Sequence, residues 1–106
     1  LVAAGTFTNV VGRSIHGGGE AETLARSLIT DAQNGQGDEL GYDLTGCKDV
    51  SGAINPWPDG GNGYRTFRIV FDTPCFVDDG DPARTLDVTV GQPEGYWKHI
   101  ATSAPE

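Results

Sequence analysis

Several groups of residues in this 106-residue chain have types and spacing that could do chemistry. The first is aromatic. Trp57 stands between Pro56 and Pro58, followed by Asp59, Asn62 and Tyr64 in a stretch rich in Gly. A Trp held in a Pro frame is a flat stacking platform for a sugar ring or a protein hot spot. Tyr96 and Trp97 are adjacent aromatics that suit the same surface. The bland alternative is that Trp57 folds back and plugs a sheet edge. The second group is acid–base. His99 with Glu94 or Asp72, and Arg65 or Arg68 for a developing negative charge, would make a hydrolytic set. For each His alone, a surface or structural role is the simpler expectation.

Two further groups are weaker. Asp78, Asp79 and Asp81 offer hard oxygen ligands for Ca²⁺, yet the register lacks the Gly and Glu positions of an EF-hand loop. The segment reads as a solvated acidic hairpin, and no metal is expected. His16 is followed by three Gly, like the strings that build oxyanion holes. The nucleophile elbow that goes with such a string is missing around Ser14, Ser27, Ser51 and Ser103, so the Gly run reads as a hinge. No cofactor motif is present; the phosphate-binding pattern of Gly, four intervening residues and then Gly-Lys is absent.

These side chains need elements to position them. Ala21, Leu24, Ala25, Leu28, Ile29 and Ala32 recur at i, i+3, i+4, i+7, i+8 and i+11, one face of an α-helix. Glu20 and Glu22 complement its dipole, Glu22 and Arg26 are an i,i+4 pair, and Asn34-Gly35 ends it. Residues 5–12 are β-branched and aromatic and read as a strand. Leu40, Tyr42 and Leu44 alternate with Gly41, Asp43 and Thr45, which predicts a half-buried strand running into Cys47. Residues 51–63 carry Pro and Gly and predict a long loop without regular structure. Residues 64–73 predict the strongest strand, with Phe67, Ile69 and Phe71 on its buried face. Leu86, Val88 and Val90 predict another. Residues 95–100 predict a short last strand, followed by a frayed tail.

Composition sets the class. One domain spans 1–106, since the length hardly accommodates two. The formal net charge of −8 argues against binding a nucleic-acid backbone or an anionic membrane. No apolar run is long enough to span a bilayer. Cys47 and Cys75 sit in no zinc-ligand spacing and read as one disulfide in an oxidising compartment. The start at Leu1 suggests a processed chain or an excised domain, and the whole pattern suggests a secreted protein. The expected fold is α+β: one amphipathic helix packed on a four- to five-stranded, mainly antiparallel sheet, with one disulfide.

The stretches Arg68-Ile69-Val70-Phe71 and His99-Ile100-Ala101-Thr102-Ser103, about a tenth of the chain, resemble small guanine-type microbial ribonucleases. The segment between Cys47 and Tyr64, where that family would place a catalytic Glu, contains none. The resemblance therefore implies at most a relative that kept the fold and lost the chemistry. Two function classes follow. One is a small secreted interaction module, effector-, toxin- or inhibitor-like and without catalysis. It would bind a protein or glycan partner through Trp57, Asp59, Asn62, Tyr64, Tyr96 and Trp97. The alternative is a small ribonuclease-like hydrolase using His99, Arg68 and Glu94. Oligomeric state is not encoded in any pattern read here.

Overall fold

The computed structural model of the chain describes residues 19–48, 55, 56 and 63–105. Helix α1 spans Gly19–Gln33. Its Ala21, Ala25, Leu28, Ile29 and Ala32 are buried, as the periodicity requires. It ends in a Schellman motif. The Gly35 N–H donates to the Ala32 carbonyl at 3.3 Å, and the Gln36 N–H to the Asp31 carbonyl at 2.8 Å. Gly35 has φ +85°, the left-handed conformation this cap needs. Glu22 accepts from the Arg26 Nε at 2.7 Å with both side chains buried. The predicted i,i+4 pair is therefore an interior contact and not a surface one.

The main sheet is antiparallel, in the order β1-β2-β5-β6. Strand β1 is only Asn55–Pro56, lying opposite Arg68 and Phe67 at the sheet edge. Strand β2 runs Tyr64–Val70, β5 Thr85–Gly91 and β6 Lys98–Ser103. Between β2 and β5 the chain makes a second, two-stranded sheet from β3 (Phe76–Asp78) and β4 (Asp81–Ala83). Its turn residues Asp79 and Gly80 both have positive φ, the signature of a tight two-residue hairpin. The expected acidic turn is thus a hairpin with its own ladder. Phe67, Ile69, Leu86, Val88 and Val90 face α1 and are fully buried. The class is α+β, one helix on a mostly antiparallel sheet, with the helix seated on β5, β2 and β6.

Three expectations about elements are corrected. Residues 40–44 form no strand; they lie in a turn, a bend and irregular chain. Leu40 and Leu44 are still buried and Tyr42 is half-buried, so the alternation reports burial without a pleat. Gly41, at φ +94°, interrupts any extended run, and its N–H closes a local turn onto the Gly37 carbonyl at 2.7 Å. Asp43 ties the next step, accepting from the Thr45 N–H at 3.0 Å and the Thr45 hydroxyl at 2.8 Å. These bonds hold the Asp43 carboxyl below its usual range, the backbone donor contributing most. Second, the Pro/Gly-rich stretch contributes β1, a short edge strand where Pro is tolerated. Third, the last strand starts at Lys98 and stays paired to Ser103 instead of fraying. The Gly95 N–H closes a turn onto the Gln92 carbonyl at 3.2 Å, which delays the strand. The strand expected at 5–12 and the hinge at His16 lie outside the described residues.

Cys47 and Cys75 form the disulfide, with Cα atoms 5.1 Å apart. It fastens the turn-rich segment 38–48 to the chain leaving β2. Gln33 reinforces the joint by donating from Nε2 to the Cys47 carbonyl at 2.6 Å. Tyr42 adds a third tie. Its ring meets Phe76 edge-on at 5.5 Å, and its hydroxyl donates to Asp78 Oδ1 at 2.7 Å. That hydrogen bond, then burial, then the Asp78 charge, push the phenol from 10.0 up to about 12.

Two outcomes follow. Replacing both Cys47 and Cys75 by Ala removes a 28-residue cross-link. It lowers unfolding stability by about 3–4 kcal/mol in the chain-entropy account, read by urea denaturation. In alkaline titration one tyrosine ionises near 12, and Asp78→Ala abolishes that late step. Because the folded pKa is raised, the Tyr42 contribution is complete below about pH 10 and fades as the pH climbs toward 12.

Candidate functional site

The β5–β6 connection carries two of the aromatics singled out in the sequence. After β5 the Gln92 N–H donates to the Gly63 carbonyl at 3.1 Å, which fixes the start of the turn. Tyr96 follows, 59 % exposed, and then Trp97, which is partly buried against the core. Both face the first two turns of α1. Glu20, Thr23, Leu24, Ser27, Tyr96 and Trp97 line an open groove of about 420 Å³.

The polar atoms of this groove are arranged one-sidedly. Thr23 donates its hydroxyl to the Gly19 carbonyl at 3.1 Å, and Ser27 donates to the Leu24 carbonyl at 2.9 Å. Tyr96 donates to Glu94 Oε1 at 2.9 Å, and Lys98 Nζ approaches the same oxygen at 3.3 Å. The Tyr96 hydroxyl, and then Lys98, hold the Glu94 carboxyl below its usual range. Glu20 is exposed and makes no ion pair among the described residues. Three hydroxyls of the lining therefore have their protons committed and are left as acceptors, beside a carboxylate and two aromatic rings.

The other candidates lie elsewhere. Tyr64 is not part of the groove. It pairs with Gly91, and its ring occupies the space a Cβ there would fill. It shares the face away from α1 with Thr66 and Arg68. Arg68 forms a two-point pair with Asp87, at 2.8 and 2.9 Å. That hydrogen bond is the main reason the guanidinium pKa is raised. His99 pairs with Val90, whose side chain is in the core, and its Nε2 lies 2.6 Å from the Thr102 hydroxyl. His99 and Arg68 are therefore on opposite faces of the sheet, and Glu94 is in the turn. Arg65, also paired with Val90, is on the same face as His99. Asp72 is exposed beyond the end of β2. Trp57, Asp59 and Asn62 lie outside the described residues.

In the acidic hairpin Asp78 is engaged by Tyr42, and no three metal-ligating side chains converge among the described residues. Among those residues no helix is long and apolar enough to cross a membrane. A second depression of about 360 Å³ is formed by Gly35, Gly37, Asp38, Gly41, Tyr42 and Asp43.

The sequence reading named Tyr96 and Trp97 but missed their partners on the helix. A signal was there. Glu20, Thr23, Leu24 and Ser27 are spaced i, i+3, i+4, i+7, a stripe beside the buried one with mixed polarity.

The chain matches no protein-family model, no curated protein and no solved structure.

Tyr96→Phe removes the donor that contributes most to the Glu94 shift. The Glu94 carboxyl then titrates closer to the ordinary carboxylate value, followed by carbonyl-carbon NMR. Lys98→Met, which removes both a hydrogen bond and a charge, moves it in the same direction.

Proposed function

We propose that the chain is a small, secreted, non-catalytic interaction module that binds a protein or glycan partner through exposed aromatic side chains. The observation that supports this most is the groove between α1 and Tyr96–Trp97, where an exposed and a partly buried ring flank polar acceptors. Mixed aromatic and polar linings of this kind suit recognition, since the rings supply contact area at low conformational cost. The disulfide supports an oxidising compartment, as expected of an extracellular effector, toxin or inhibitor. Trp57, Asp59, Asn62 and Tyr64 belong to the proposal on sequence grounds, as a second aromatic surface in the Pro/Gly-rich stretch.

The hydrolase reading keeps one supporting observation. Arg65 and His99 both pair with Val90 and share its sheet face, so a cation and an imidazole lie on one face with β5 between them. Arg68 does not join them.

Incubation with RNA and with a panel of oligosaccharides separates the two. The interaction-module reading predicts no turnover, and saturable NMR shifts at the aromatic residues with a true partner. Tyr96→Ala weakens that binding while the melting temperature stays within about 2 °C, as for a change at an exposed residue, and Trp57→Ala weakens it with the fold retained. Turnover that disappears in His99→Ala would favour the hydrolase instead.

A further inference from the structure

The groove's chemistry is specific enough to name what it takes. We infer that it receives an arginine side chain presented by a basic segment of a partner protein, an inference that rests on the interaction-module reading above. Three properties point there. The first is hydrogen-bond polarity. The hydroxyls of Thr23, Ser27 and Tyr96 already donate to the Gly19 carbonyl, the Leu24 carbonyl and Glu94, so what they offer is lone pairs. Glu20 offers a carboxylate. Among the described residues the indole N–H of Trp97 is the lining's one side-chain donor left over. A guanidinium has five N–H donors and no acceptor, which complements such a surface. A sugar hydroxyl donates and accepts, and half of its capacity would go unmet here.

The second property is charge. Arg26 neutralises Glu22 and Lys98 neutralises Glu94, which leaves Glu20 as the groove's uncompensated charge among the described residues. The chain as a whole carries −8, so a basic partner is also steered toward it. The start of a helix ordinarily favours anions, but here Glu20 stands exposed in that first turn and repels them. The third property is shape. Tyr96 and Trp97 supply flat π faces, on which a planar guanidinium stacks as well as bonding. A lysine ammonium has neither the plane nor the fork.

The test is an NMR titration of the whole ¹⁵N-labelled chain with three probes: the peptide acetyl-Gly-Arg-Gly-amide, its citrulline counterpart of the same shape without charge, and a neutral gluco-oligosaccharide. The arginine peptide is expected to give saturable shifts at the Thr23, Leu24 and Tyr96 amides and at the Trp97 indole N–H. The citrulline peptide should bind roughly tenfold more weakly, the scale of a desolvated cation–π contact with an ion pair. Glu20→Gln, at an exposed position, should weaken the arginine peptide by a similar factor while lowering the melting temperature by no more than a few degrees, the scale of one lost helix-dipole contact, and added salt should weaken binding further. Tyr96→Ala should reduce it as well. Equal shifts with citrulline would overturn the assignment of a cation. Groove shifts with the oligosaccharide alone would overturn arginine and leave the interaction-module reading standing. Silence of the groove resonances with all three probes, up to about 20 mM, would remove the inference. The wider reading would then be judged by partner binding and the Trp57→Ala variant.

Discussion

The seating of α1 on the sheet is the constraint on which the rest depends. Ala21, Ala25 and Ala32 give the helix a face with almost no side-chain height, and Leu28 and Ile29 fill the space that remains. Opposite lie Phe67, Ile69, Leu86, Val88 and Val90. Short residues let the helix approach closely and longer ones prevent it from sliding, because a packed core tolerates neither voids nor overlap. Once that face is buried, the adjacent stripe of Glu20, Thr23, Leu24 and Ser27 must look sideways along the sheet. The turn after β5 then delivers Tyr96 and Trp97 to it. The groove is thus a by-product of how one helix is rotated on three strands.

The other end of the helix is held by different means. Residues 38–48 make no ladder, so their burial of Leu40, Leu44 and Cys47 must be secured locally and by cross-links. The Schellman cap turns the chain toward that segment, and the Gln33 bond to the Cys47 carbonyl, the disulfide and the Tyr42–Asp78 bond converge on it. A small domain has little core to stabilise an irregular segment, and a covalent tie offsets the shortfall. The two ends divide the work: apolar packing positions the groove, while the disulfide end keeps the helix from fraying.

How much of this was legible depended on whether the signal was local. The helix, its cap and the strands around Phe67 and Val88 follow from periodicities of 3.6 and 2, and the structure has them. The disulfide followed from counting two cysteines without metal spacing. The segment 40–44 misled because burial alternates there for reasons of turn geometry, and alternation alone does not distinguish a pleat from a turn. The tail misled because the pairing of Ala101 to Ser103 with β5 is long-range and leaves no mark in composition. In the site, Tyr96 and Trp97 stood out by residue type. Their helical partners are ordinary surface residues whose role is created only by tertiary packing. Arg68 and His99 are both strand residues, but a bulge between Thr89 and Val90 shifts the register of β6. No single-strand pattern shows on which face each residue lies.

The functional account joins these levels: packing sets the groove, helix carbonyls draw the hydroxyl protons inward, and the remaining lone pairs, rings and Glu20 carboxylate select a planar cation. The most direct test is a crystal structure of the whole chain with acetyl-Gly-Arg-Gly-amide bound. The account predicts density for the guanidinium stacked on Trp97 or Tyr96, with N–H groups directed at Glu20. A guanidinium bound instead in the depression beside Asp38 and Asp43, with the groove holding only solvent, would contradict it.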